Sequence, residues 1–146
     1  MVGRLILYRK FFYKMINTTL NANRTRIAFF GRRNAGKSSL INALTGQSLA
    51  IVSDIPGTTT DPVSKAMEIL PLGPCLITDT AGLDDEGELG RKRIEKSLAV
   101  LEITDIAVLA IPAGHKELDN DSLVREECSK RGISLIVVRT KRDIAP

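Results

Sequence analysis

Tryptophan is absent from this 146-residue chain, and aromatic residues of any kind stop at Phe30. Four of the six aromatics, Tyr8, Phe11, Phe12 and Tyr13, fall in one short segment that also carries Arg4, Arg9, Lys10 and Lys14. Residues 1–14 therefore read as an extension outside the fold, within a longer extension reaching residue 25, and Met15 stands as a candidate natural start. Leu5-Ile6-Leu7 is too short for the apolar centre of a signal peptide, and no small-residue cleavage site follows it. Cysteine is scarce as well. Cys75 and Cys128 are far apart and form no C-x-x-C pattern, which leaves neither a metal site nor a disulfide framework to be read from them. The single histidine, His115, has no ligand-type neighbours and reads as a surface residue. Long apolar runs are missing: Ile106 to Pro112 and Ile133 to Val138 are strand-sized, far short of the roughly 20 residues of a spanning helix. A net charge of +4 is mild and comes partly from the basic start, so it does not by itself indicate nucleic-acid binding. A cytoplasmic protein with no membrane and no nucleic-acid partner is the expectation from composition.

What is present is a phosphate-binding pattern. Gly31-Arg32-Arg33-Asn34-Ala35-Gly36-Lys37-Ser38 fits G-x-x-x-x-G-K-[ST], in which backbone N–H groups wrap phosphates, the lysine reaches the β- and γ-phosphates and the final hydroxyl holds Mg²⁺. Its context fits. Arg26 to Phe30 reads as a buried strand entering the loop, and Ser38 to Thr45 as the helix leaving it, with Leu40 and Leu44 one turn apart and Gly46 at its end. The helix N-terminus then points at the phosphates.

Along the rest of the chain, Leu49 to Pro62 reads as a loop, because Thr58-Thr59-Thr60-Asp61 makes a poor helix and lacks the alternation of an exposed strand. Val63 to Leu70 and Cys75 to Thr78 read as strands; the Pro71-Leu72-Gly73-Pro74 turn is too short for a crossover, so they must pair antiparallel. Leu83 to Gly90 is an acidic loop. A helix follows over Arg91 to Glu102, with Ile94, Leu98 and Leu101 on one face, then a strand over Ile106 to Ala113. Glu117 to Arg131 reads as a helix capped by Gly132, and Ile133 to Arg139 as the last strand. This order predicts an α/β fold, a doubly wound and mostly parallel sheet with one antiparallel edge strand.

Loops at the carboxyl ends of such strands emerge at one sheet edge, so four signals converge there: the phosphate loop, the threonine loop, Asp79-Thr80-Ala81-Gly82 and Thr140-Lys141-Arg142-Asp143. A carboxylate at a strand tip beside a glycine suits a magnesium-phosphate site. The last signal selects the base. The Asp143 carboxylate can accept from both N1–H and the N2 amino group of guanine, which adenine cannot offer, while the stem of Lys141 lies along the purine face.

These four elements resemble the translation-factor-class GTPases that include the tRNA-modification, Era and Der GTPases. Within that group the wording is similar to the HydF family of iron-iron hydrogenase maturation GTPases, notably at Ser53 to Pro62, Pro71 to Pro74 and Gly82 to Gly90. The resemblance covers Asn21 to Asp143 and implies a P-loop GTPase (Ras-like) domain over 26–146. It also implies a stop before that fold's last strand and helix, and further domains elsewhere for dimerisation and a 4Fe–4S cluster; no cluster site falls within this chain. GTP or GDP would be held by Gly31 through Ser38 together with Ser39, Thr58, Thr59, Asp79, Gly82, Thr140, Lys141 and Asp143. Among these, Lys37, Thr59, Gly82 and Asn34 are the implied catalytic residues. Ser38, Thr59 and Asp79 would serve Mg²⁺, and Asn34 would hold the K⁺ of the potassium-activated members. Two positions depart from common patterns. Thr140 stands where asparagine is usual, and Leu83 stands where many small GTPases carry a water-positioning glutamine. The implied output is a slow, K⁺-stimulated switch in hydrogenase diiron-cluster assembly, with maturases and hydrogenase as partners; the alternatives are a tRNA- or ribosome-associated GTPase and a nucleotide-binding fragment without catalysis.

Overall fold

The computed structural model describes residues 23–47, 51–55, 63–84 and 86–143. The extension over 1–14, Met15 and the threonines Thr58 and Thr59 lie outside the described residues. Six strands form one sheet: β1 (Thr25–Phe30), β2 (Ile51–Ile55), β3 (Val63–Ile69), β4 (Gly73–Asp79), β5 (Ile106–Pro112) and β6 (Ser134–Thr140), in the order β2-β3-β4-β1-β5-β6. Helix α1 (Lys37–Gln47) follows β1, α2 (Gly87–Ala99) runs into a 3₁₀ turn (Val100–Ile103), and α3 (Asp119–Arg131) connects β5 to β6.

β1 is central and pairs in parallel with β4 and β5. A strand in that position is covered on both faces, which is why its buried part, Ile27 to Phe30, is an unbroken apolar run. Its side chains part by the period of two. Ala28 and Phe30 join Ile94, Leu101, Val124 and Cys128 under α2 and α3, while Ile27 and Phe29 join Ile41 of α1 with Met67, Cys75 and Ile77. Both phenylalanines are fully buried. Truncating either to alanine is worth about 3–5 kcal/mol of stability.

Two expectations are corrected. Ile51–Ile55, read as loop, is the edge strand β2, and the antiparallel strand β3 is interior, between β2 and β4. A register shift between Ile51 and Ser53 breaks the period-two pattern that would have revealed β2. The second correction is at α2, which begins at Gly87 and not Arg91, so that half of the acidic loop is helical. Gly87 and Gly90 concealed the start, whereas Glu88 in the first turn suits the helix dipole.

Other expectations stand. β3 and β4 form the antiparallel hairpin, with Ile69 opposite Gly73. Gly132 closes α3 in the left-handed region at φ 68°, its N–H donating to the carbonyls of Cys128 and Ser129. Among the described residues, no helix is long and apolar enough to cross a membrane.

Candidate functional site: a phosphate loop and a base cleft at one sheet edge

β1 ends at Phe30 and the chain turns at Gly31, whose φ is 149° and where a Cβ would stand 2.6 Å from the Ala110 carbonyl oxygen. Only glycine passes so close to β5. Asn34 takes φ 58°, a left-handed conformation asparagine tolerates, and Gly36 takes φ 91°. The loop then enters α1, whose first-turn N–H groups have no intrahelical acceptors.

Inside this loop lies the buried Lys37, its ammonium donating to the carbonyls of Gly31 at 3.0 Å and Arg32 at 2.9 Å. Burial pulls its pKa down, opposed by the fields of Asp79, then Asp84 and Asp121. The cation is thus held at the loop's centre by oxygens that a phosphate can replace.

Asp79 ends β4 beside Phe29. Its Oδ2 lies 3.5 Å from Ser38 Oγ, and its Oδ1 is buried with no hydrogen-bond partner. A buried carboxylate oxygen without a donor, next to a hydroxyl, suits a hydrated cation. Among the described residues no group of three or more His, Cys, Asp or Glu could hold a metal unaided.

Burial raises the Asp79 pKa above the ordinary aspartate value, against the lowering effects of Lys37, the Ser38 hydroxyl and Lys65. The folded chain therefore holds that proton to a higher pH than the unfolded chain does. The stability cost of ionising Asp79 is absent below the unfolded value and accumulates as the pH rises to the folded one. Mg²⁺ requires the ionised form. Mg²⁺-dependent GDP affinity is expected to fall on acidification, and Asp79→Asn is expected to remove that dependence. Titrating a fluorescent GDP between about pH 4 and 7 checks it.

Beyond Asp79 the chain folds back onto the phosphate loop. The Thr80 hydroxyl donates to the Phe29 carbonyl at 2.7 Å, fixing the turn. Leu83 is fully buried and its N–H donates to Gly31 at 3.1 Å. It is a core residue, not a side chain free to position a water. Gly82 lies so near that a Cβ there would stand 2.9 Å from the Arg33 nitrogen, so this position too requires glycine.

At the tip of β6, the Thr140 hydroxyl donates to the Ala35 carbonyl. Thr140, where asparagine is usual, thus tethers the phosphate loop to the tip of β6. Lys141 follows in the left-handed region at φ 55°. Gly36, Ser39, Leu40, Val138, Thr140, Lys141 and Asp143 line one cleft, which adjoins a second lined by Asn34 to Ser39 with Lys141. The phosphate loop and the residues expected to hold the base therefore share a continuous groove. A further cleft, against Ser38 and Asp79, is lined by Lys65, Ile41 and Asn42.

Not every expected residue points into the groove. The Arg32 side chain turns away, donating to the Lys116 carbonyl at 2.5 Å, with Asp121 at 3.6 Å. Asp121 is buried and accepts from the Leu118 N–H at 2.8 Å, while Asn120 donates to the Leu83 carbonyl at 2.5 Å. These two residues were not among the sequence candidates. An aspartate three positions after Leu118, at the start of a helix, was the available signal for Asp121. His115 is exposed, as expected, and its ring lies 3.4 Å from Arg32.

A mixed sheet with a parallel core, this loop at the end of its central strand and a carboxylate at the neighbouring strand tip define a P-loop nucleotide-binding protein of the Ras-like fold. Residues 26–141 match the family described as 50S ribosome-binding GTPase, and the chain belongs to it, as a P-loop GTPase domain of the Era/Der/MnmE-like group. It is 35% identical over 124 residues to GTPase Der of Kosmotoga olearia, covering 82% of this chain and 28% of that one. With tRNA modification GTPase MnmE of a Synechococcus strain it shares 38% identity over 122 residues, covering 83% and 26%. A solved structure of Era with MgGDPNP and 16S ribosomal RNA nucleotides superposes with a TM-score of 0.63 at 28% identity, covering 84% of this chain and 42% of that one. The chain thus spans about a quarter of the length of these curated relatives.

Proposed function

We propose that the chain is a GTP-hydrolysing switch domain, and the observation that supports this best is the single groove joining Lys37, Ser38 and Lys141 to Asp143. On this reading Lys37 exchanges its Gly31 and Arg32 carbonyls for β- and γ-phosphate oxygens. Ser38, Asp79 and Thr59 hold Mg²⁺, which when bound neutralises charge on the phosphate oxygens. The Gly82 N–H meets the γ-phosphate, at a position where a Cβ would stand 2.9 Å from the Arg33 nitrogen. Asp143 and Lys141 hold guanine, and Thr140 sets the distance between base and phosphate sites through Ala35.

Leu83 is buried and supplies no water-positioning group, so transition-state charge must be stabilised from elsewhere. Asn34, exposed at the turn of the loop, is the proposed K⁺ ligand. Exchanging KCl for NaCl at constant ionic strength is expected to slow GTP hydrolysis by about tenfold or more, and Asn34→Ala is expected to erase the difference. Equal rates in both salts rule the K⁺ site out.

For the whole protein, a ribosome- or tRNA-associated role is favoured by the Era, Der and MnmE relatives, one of them solved with ribosomal RNA. That reading replaces the expectation of no nucleic-acid partner. The second reading, hydrogenase maturation, rests on the Gly82 to Gly90 loop and the Pro71 to Pro74 turn. Loading the full-length protein with a GTP analogue separates the two. Cosedimentation with ribosomal subunits or tRNA supports the first; activation of apo-hydrogenase together with radical-SAM maturases supports the second.

A further inference from the structure

Asp84 has no part in the phosphate-loop pattern, yet its side chain is firmly placed. Its Oδ1 accepts from the Arg33 N–H at 2.5 Å. It also stands 2.9 Å from where a Cβ of Gly82 would be. The preceding residue fixes its approach, since Leu83 is fully buried with its N–H bound to Gly31 and its carbonyl bound by Asn120. An exposed residue one step beyond such an anchor has little freedom in where a short side chain lands.

The donor it takes belongs to the loop whose N–H groups wrap phosphates. The Arg33 nitrogen lies beside Gly82, 2.9 Å from where a Cβ of that glycine would stand. The carboxylate also acts on the Lys37 ammonium, whose proton it helps to hold. An anionic oxygen that accepts from a phosphate-loop N–H, beside Gly82 and within the field of Lys37, presents what a terminal phosphate oxygen presents.

We propose that the Asp84 carboxylate competes with the γ-phosphate of GTP for the Arg33 N–H, so that Asp84 lowers the affinity for GTP relative to GDP. The inference rests on the GTP reading of the groove. GDP, with no γ-phosphate, leaves the Asp84 contact in place; GTP must displace it, and the displaced carboxylate then sits near a like charge.

The test is a titration of the full-length protein and its Asp84→Ala and Asp84→Asn variants with fluorescent GDP and a non-hydrolysable GTP analogue at saturating Mg²⁺. Analogue affinity is expected to rise about tenfold in Asp84→Ala and by less in Asp84→Asn, with GDP affinity changed by no more than about twofold. Unchanged analogue affinity, or an equal shift for both nucleotides, overturns the inference and leaves the GTP reading intact. A parent protein that binds neither nucleotide overturns the reading and the inference with it.

Discussion

Lys37→Ala is expected to lower GTP hydrolysis by about 10²–10³-fold at saturating nucleotide, the effect of removing one preorganised positive donor from a developing charge. The ammonium is already buried at the centre of the loop, within 3.0 Å of two carbonyl oxygens, and needs only a short movement to reach a phosphate. Its loss is not expected to unfold the chain. Removing the side chain takes away two hydrogen bonds but also the desolvation of a buried cation, the effect that dominates its lowered pKa. The two contributions are opposed, so the melting temperature is expected to move by no more than a few degrees. Single-turnover phosphate release beside a thermal melt checks both halves. Activity lost together with the fold contradicts the role assigned to Lys37.

The second large effect concerns the base. Asp143 is exposed at the tip of β6 in the cleft with Gly36 and Lys141, where a carboxylate can accept two N–H bonds from guanine. Asp143→Asn keeps one acceptor and turns the other into a donor. Guanine then meets donor against donor, whereas xanthine, with an oxygen in place of the amino group, meets donor against acceptor. GDP affinity is expected to fall about a hundredfold while xanthosine diphosphate becomes the better ligand, since a site built to hydrogen-bond one pattern rejects its complement strongly. Competition against a fluorescent guanine nucleotide measures both. A variant that still prefers GDP places the base elsewhere.

Where chemistry and backbone are local, the sequence is legible. Gly31 to Ser38 shows its strand, loop and helix in one continuous stretch, because each glycine answers a backbone need and each apolar position a sheet face. The pairing of β3 with β4 was forced by a turn too short to cross over, and the capping of α3 by Gly132 was legible for a similar local reason. Edge strand β2 was hidden by its register shift, and the beginning of α2 by two glycines within its first turn.

The contacts that join the groove to its surroundings were invisible for a different reason. Asp84 reaches Arg33 across 51 positions, and Asn120 reaches Leu83 across 37. No spacing rule relates such residues; they meet because the phosphate loop, the turn after β4 and the start of α3 share one sheet edge. Thr140 is intermediate. Its place in the base motif could be read from the sequence, but its bond to Ala35 depends on β6 lying next to β5.

The most direct test of the guanine-nucleotide reading is competition for a fluorescent GDP on the full-length protein with Mg²⁺ present, together with phosphate release from GTP and ATP. The expected result is displacement by GDP and GTP, none by ADP or ATP at matched concentration, and phosphate released from GTP alone. Failure to bind GDP, or equal displacement by ADP, contradicts the roles assigned to Lys37, Asp79 and Asp143 together.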